Sequence, residues 1–168
     1  MQGTREAPGG GRYNAHMESV SPQIFAIYFS PYTAHAVEVE GLVYPTVEHA
    51  YQCARYDDAA IREEIRSQRS PVAAWETSTT YKHLQRPEFK ESGHKREVMK
   101  ELMRAKMLQH EEVARALAGT GNAFIVKHIY TYPPGDGWWD DGVAGEGENQ
   151  MGKIWMELRD ELRNSDNH

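Results

Sequence analysis

The stretch Tyr44-Pro45-Thr46-Val47-Glu48-His49-Ala50-Tyr51-Gln52-Cys53-Ala54-Arg55-Tyr56 reads as a short helix with a carboxylate at its entrance. Thr46, just after Pro45, is the start signal, because a threonine hydroxyl accepts a hydrogen bond from a first-turn amide that has no partner within the helix. At about 100° per residue, Val47, Ala50, Tyr51 and Ala54 fall on one apolar stripe, with Glu48, Gln52 and Arg55 beside it. The border between two such stripes is where the rim of a pocket forms. The same spacing also suits a solvated face, on which Glu48 complements the helix dipole and Arg55 stays at the surface.

Working outward, residues 24–29 are apolar and β-prone. The runs 36–39 and 42–44 flank Glu40-Gly41, a hairpin-turn signature. A small sheet is therefore expected to deliver the chain to Pro45. Beyond the helix, Asp58 can cap a second one that turns Ile61 and Ile65 inward, exposes Arg62 and Arg66, and ends before Pro71. Residues 71–93 read as short helix and loop. Residues 95–109 form the clearest helix, with Val98, Leu102 and Ala105 on one line and Met99, Met103 and Met107, as gap-filling core, on the next. A shorter helix over 111–118 stops at Gly119 and Gly121. Residues 123–126 with Ile129 and Tyr130 predict a buried strand, and Met151, Ile154, Trp155, Leu158 and Leu162 space out as a last helix.

Composition sets the limits. At 168 residues and 39% hydrophobic the chain fits one domain over residues 19–164, after a disordered, Gly-rich tail over residues 1–18. The net charge of −6 argues against an extended basic groove for nucleic acid and against an anionic membrane surface. A nucleic-acid substrate would have to be engaged locally. The lone Cys53 leaves no internal disulfide and no cysteine-cluster zinc site, and it points to a reducing, cytoplasmic setting. No run approaches the length of a membrane span, and the N-terminus lacks the apolar centre of a signal peptide.

A second constellation lies far along the chain, Gly135-Asp136-Gly137-Trp138-Trp139-Asp140-Asp141-Gly142-Val143-Ala144-Gly145-Glu146-Gly147-Glu148-Asn149-Gln150-Met151-Gly152. It is too polar for core and too rich in tryptophan for a plain linker. Glycines let backbone approach a ligand closely, and indoles stack on flat rings. Carboxylates here suit ribose hydroxyls, an amine or a developing positive charge better than phosphate. The Gly145-x-Gly147 spacing is not the dinucleotide fingerprint, and the acidic spacing is not that of a calcium loop. No His-Glu-x-x-His, nucleophile elbow or P-loop occurs.

Together the two stretches resemble the NADAR or YbiA-like family, over about residues 29–162. The matching residues are Phe29-Ser30, Val37-x-Val39-x-Gly41 and Pro45-Thr46-x-Glu48-His49-x-x-Gln52. They continue with Asp136-x-x-Trp139-x-Asp141-Gly142-x-x-Gly145-x-Gly147-x-Asn149-x-x-Gly152. The resemblance implies an α+β, YbiA-like fold in a single domain, predominantly helical with a small β-sheet. It implies a metal-independent N-glycosidase that needs no cofactor. The favoured reaction is removal of ADP-ribose from the guanine amino group in nucleic acid, with ADP-ribosylated DNA or RNA as substrate and an ADP-ribosyltransferase as functional counterpart. Phosphoribosylamino-pyrimidine intermediates of riboflavin synthesis are the alternative substrate, and a non-catalytic ADP-ribose or NAD module the alternative class.

Carried onto this chain, the resemblance and the chemistry of C–N cleavage assign roles. Glu48 is the central carboxylate that meets positive charge on the sugar, and Asp136 or Asp141 holds the sugar or the water. Trp139 stacks on the base, and Asn149 bonds the substrate or braces the loop. Ser30, His49, Gln52, Arg55, Gly145 and Gly147 complete the expected binding set. Two positions depart from the family. Arg55 stands where many relatives carry a lysine able to form a Schiff base, which a guanidinium does not do. A tryptophan common ahead of the Met-rich helix has Phe89 as its nearest aromatic.

Overall fold

The computed structural model describes residues 18–129 and 135–165; the expected tail up to residue 17, and Tyr130 of the expected strand, lie outside them. Its first elements are α1 (Pro22–Ile24), which runs into a π-helical turn over Phe25–Phe29, and a hairpin of β1 (Val37–Val39) and β2 (Leu42–Tyr44). Helices α2 (Val47–Ala54), α3 (Ala59–Arg66), α4 (Pro71–Thr80), α5 (Ser92–Gln109), α6 (Glu111–Gly119) and α7 (Gln150–Ser165) follow. Two 3-10 turns, Lys82–Leu84 and Pro87–Lys90, lie between α4 and α5.

Helix α2 sits at the centre, with α3, α4, α5 and the hairpin all packed on it. Its cap is double. Thr46 Oγ1 accepts from the His49 amide at 3.3 Å and lies 2.8 Å from His49 Nδ1, while His49 Nε2 meets the Gln68 carbonyl at 2.9 Å. Burial lowers the pKa of His49, so the ring is neutral: Nε2–H donates to Gln68 and Nδ1 accepts from the threonine hydroxyl. Cys53, fully buried in the same helix, turns its Sγ to the Arg62 carbonyl at 3.1 Å, and burial pushes its thiol up to about 12.

The hairpin forms as the turn residues require. Glu40 and Gly41 both have positive φ, 52° and 77°, and antiparallel pairing follows with Val37 opposite Tyr44. Gln109 of α5 closes one edge by bonding both backbone groups of Glu38, at 2.8 and 2.9 Å.

Residues 24–29, expected as β, are helical instead. Ser21 Oγ caps the Ile24 amide at 3.3 Å with Pro22 in the first helical position, a start signal that overrides β propensity. Burial there runs i to i+4, Phe25 with Phe29, and leaves Ile27 54% exposed. The π-turn closes with the Ser30 amide on the Phe25 carbonyl at 3.0 Å, and Trp155 Nε1 of α7 takes the Phe29 carbonyl at 2.8 Å.

Residues 71–93 hold more helix than expected. Ser70 caps α4, and the hydroxyls of Thr79 and Thr80 bond back to the Trp75 and Thr77 carbonyls, so the polar run continues the helix. On α5 the buried line is Met99, Leu102, Met103, Lys106 and Met107. Arg96, Lys100 and Arg104 of α5 then pair with Glu157 and Glu161 of α7, which sews the two helices along one side. The segment 123–129 is buried at Ile125 and Val126 but, among the described residues, joins no sheet and bridges only from Phe124 to Ser19. Among the described residues no helix is long and apolar enough to cross a membrane.

Lys106 is fully buried, and burial lowers its pKa to about 7 from 10.5. Between those values the unfolded chain binds more protons, so this residue's unfavourable contribution is full below about pH 7 and fades as pH rises toward 10.5. Lys106→Met is therefore expected to melt at or above the wild-type temperature at pH 6. Thermal scans from pH 6 to 10 should show that advantage shrinking.

Candidate active site

One face of α2 from Glu48 to its C-cap Arg55, Pro31 and Tyr32, the 82–95 region, Lys127 and the 136–139 hook line a cavity of about 430 Å³. Glu48 lies in its wall at 6% exposure, and Asp136 lines it from the hook. The two sequence-distant stretches thus share one cavity.

A hydrogen-bonded row fixes the carboxylate. Gln52 Nε2 donates to Glu48 Oε1 at 2.7 Å, Arg55 Nη1 donates to Gln52 Oε1 at 2.7 Å, and Arg55 Nη2 donates to Gln85 Oε1 at 2.5 Å. Because a guanidinium can only donate, Arg55 settles which end of the Gln52 amide faces Glu48. Burial raises the Glu48 pKa above its ordinary 4.5, opposed by the Gln52 bond and by the charges of Lys127 and Arg55.

Aromatic rings make the apolar wall. Tyr51 stands edge-on to Phe89 and to Trp139, with centroids 5.9 Å apart in each pair. Phe89 thus holds a place in the cavity lining, ahead of the Met-rich helix. Cations ring the remainder: Arg55, Lys82, Lys95 and Lys127 all line the cavity of a chain whose net charge is −6. Lys95 Nζ also sits 4.0 Å over the Trp138 ring.

The structure separates the other expected site residues by position. Glu48, Gln52, Arg55, Asp136 and Trp139 line the cavity; Ser30, His49, Asp141, Gly145, Gly147 and Asn149 do not. His49 is committed to Thr46 and Gln68. Ser30 accepts the Tyr32 amide at 3.2 Å through Oγ. Asp141, 7% exposed, turns one oxygen to His128 Nδ1 and hands its amide to the Lys127 carbonyl at 3.0 Å. Gly145 is an exposed turn position, whereas a Cβ on Gly147 would stand 2.5 Å from the Asp140 carbonyl oxygen.

Asn149 joins the hook to the rest. Its Nδ2 donates to the Ile125 carbonyl and its Oδ1 accepts the Lys127 amide, both at 2.9 Å, so one side chain pairs with the extended segment as a neighbouring strand would. Gly152 lets this happen: a Cβ there would lie 2.0 Å from the Ile125 oxygen and 2.4 Å from Asn149 Nδ2. The hook's own rim is set by Asp136 Oδ1, which accepts the Trp138 and Trp139 amides at 2.9 and 3.0 Å. Sequence reasoning passed over Tyr32, Gln85, Lys82, Lys95 and Lys127 as site residues, since each lies in a stretch without a motif. Among the described residues no group of three or more His, Cys, Asp or Glu side chains is placed to hold a metal ion.

A NADAR domain model matches residues 15–163. N-glycosidase YbiA of Escherichia coli (strain K12) is 35% identical over 134 residues, 80% of each chain. A riboflavin biosynthesis protein of Vibrio vulnificus (strain YJ016) is 31% identical over 128 residues, 76% of this chain but 33% of that protein's length. The NMR structure of E. coli YbiA superposes with a TM-score of 0.73 at 34% identity, covering 83% of this chain and 80% of that one.

Replacing Asn149 by Ala leaves the Ile125 carbonyl and the Lys127 amide without their partner. The expected cost is about 1–3 kcal/mol for each orphaned group, read as a lower urea midpoint. Asn149→Ala at wild-type stability would mean that the segment is held by something else.

Proposed function

The chain belongs to the NADAR domain family, and from that premise we propose that it is a metal-independent N-glycosidase that removes ADP-ribose from the guanine amino group in nucleic acid. The observation that carries the reading is the Glu48 carboxylate, nearly buried in the wall of the cavity and held by Gln52. Loss of the nitrogen builds positive charge on the sugar ring, and a desolvated, fixed carboxylate interacts with that charge more strongly than it would in water.

In this mechanism the C–N electron pair leaves with the guanine nitrogen, which takes up a proton from solvent, and a water oxygen bonds to the anomeric carbon as its own proton is removed. Asp136, whose Oδ1 is engaged by the hook amides, orients that water and receives its proton through Oδ2. Trp139, braced edge-on by Tyr51, stacks on the departing base. With arginine at 55, the route is direct attack by water rather than an imine on that residue. Asp141 serves the site through the hook and His128 and does not meet the substrate.

The lining also grades from buried to exposed in a way that suits an ADP-ribosyl group. Glu48 and Gln52 are buried, Arg55 and Gln85 half-buried, Lys82 exposed, and Trp75 at the mouth is 48% exposed. Sugar at the carboxylate, phosphates along the cations and an outer base on the indole would follow that sequence. The relatives named for riboflavin biosynthesis favour a second reading, hydrolysis of phosphoribosylamino-pyrimidines, which would leave Trp75 unused. Incubation with guanine-ADP-ribosylated oligonucleotide and, separately, with those pyrimidines distinguishes the two by which releases free sugar. Release in neither, with measurable ADP-ribose affinity, would make the protein a binding module.

Glu48→Gln keeps shape and removes charge, and kcat is expected to fall at least about tenfold with folding intact. The active form needs the ionised carboxylate, whose pKa is raised above 4.5. Activity should therefore disappear as pH falls through a value above 4.5, and any residual Glu48→Gln turnover should lack that limb. Trp75→Ala should raise KM for the ADP-ribosylated oligonucleotide and leave KM for a phosphoribosyl substrate unchanged; equal effects on both would remove Trp75 from the outer subsite.

A further inference from the structure

Lys106 is fully buried on α5, yet its Nζ meets oxygens that carry no formal charge: the Ser30 carbonyl at 3.0 Å and Thr33 Oγ1 at 2.6 Å. Burying an ammonium without a close carboxylate is costly. Apolar filling would avoid that cost, and α5 already supplies it on the same face, as Met99, Met103 and Met107. A buried amine kept under these conditions asks what its hydrogen bonds hold in place.

They hold the turn over 30–33, which forms one wall of the cavity. Pro31 and Tyr32 line it, and the Pro31 carbonyl accepts the backbone amide of Glu48 at 3.1 Å. That bond ties the turn to the first turn of α2. The Tyr32 amide closes onto Ser30 Oγ at 3.2 Å, and the Thr33 hydroxyl and amide both reach the Ser30 carbonyl, at 3.1 and 3.4 Å. Thr33 Oγ1 also lies 2.7 Å from His35 Nδ1. The groups around this knot are His35, whose Nε2 is 3.4 Å from Glu112 Oε1, and His110, whose ring stands 5.0 Å from that of His35. His110 Nε2 is engaged by the Ala36 carbonyl at 2.6 Å. Burial and the neighbouring Lys106 lower the His35 pKa, so His35 is neutral and its Nδ1 is the alternative acceptor, beside the Ser30 carbonyl, for the one Thr33 hydroxyl proton.

We propose that Lys106 is a positioning residue for the active site: by donating to Ser30 and Thr33 it sets the Pro31–Tyr32 wall and, through the Pro31 carbonyl, the place of Glu48. The residue does not touch substrate. Its effect passes through one backbone hydrogen bond, so its loss should alter turnover while the rest of the core stays packed. The kinetic consequence rests on the N-glycosidase reading, but the structural one does not.

Lys106→Met and Thr33→Val, with Thr33→Ser as the conservative control, test this on the full chain. Amide hydrogen exchange at Glu48 and Tyr32 needs no substrate, and kcat and KM are read on whichever N-glycoside the wild type hydrolyses. Both variants are expected to stay folded, to speed Glu48 and Tyr32 exchange while α7 amides keep wild-type protection, and to lower kcat by about ten- to a hundredfold with little change in KM. Thr33→Ser should behave as wild type, and the double variant should be no worse than either single one. If Lys106→Met does not fold, Thr33→Val decides alone. Unchanged exchange at Glu48 overturns the proposal, as does a kcat that falls only in step with the folded fraction. Should the wild type hydrolyse no N-glycoside, the functional reading fails, and the exchange measurement still decides the role of Lys106.

Discussion

The Asn149 side chain pairs with the backbone of residues 125–127 as a strand would, and the shape of the cavity follows from that pairing. An extended, buried segment must satisfy its amides and carbonyls somewhere. Here an amide side chain at the start of α7 offers a donor and an acceptor in the spacing a neighbouring backbone would use. Three things are fixed together. Lys127 is turned to the cavity, the Asp141 amide is brought to the Lys127 carbonyl, and the hook carrying Asp136 and Trp139 is anchored opposite α2. Gly152 makes room for all of it.

The second constraint is electrostatic. A carboxylate as buried as Glu48 gains little from water, so its charge is supported by the fixed row Gln52–Arg55–Gln85 and by Lys127 nearby. Those same groups bring cations to the cavity walls of an acidic protein. Support for the buried Glu48 charge and any attraction for an anionic ligand would therefore come from one set of side chains. Local engagement of a phosphate-bearing molecule is compatible with a chain of net charge −6 on these terms.

Much of this was legible wherever a local rule acts alone. Glu40-Gly41 could hardly be other than a tight turn, Thr46 and Asp58 announced their helices, and the methionine line on α5 read correctly as core. Residues 24–29 misled because β propensity was weighed without the Ser21-Pro22 cap before them. The strand expected near residue 125 is buried and bridged to backbone at Phe124, but at the Ile125 carbonyl and the Lys127 amide its partner is the Asn149 side chain, which no periodicity can reveal. The cavity was legible in part. Motif residues marked the two stretches, but a motif does not tell which of its members face inward. Asp141, His49 and Asn149 turn to protein partners, and Lys127 and Tyr32 face the cavity without belonging to any recognisable pattern. Phe89 completes an edge-on stack with Tyr51 that only the fold brings together.

Cys53 has a use that no part of the proposed chemistry requires. It is the chain's one thiol, fully buried on α2 against the Arg62 carbonyl of α3 and held protonated far above neutral pH. A maleimide or disulfide reagent has neither access to it nor a thiolate to attack while the molecule is closed. Labelling must then wait for the centre of the protein to open. Left in reagent, the protein acts as its own stopwatch, marking each molecule at the first moment its middle is breached.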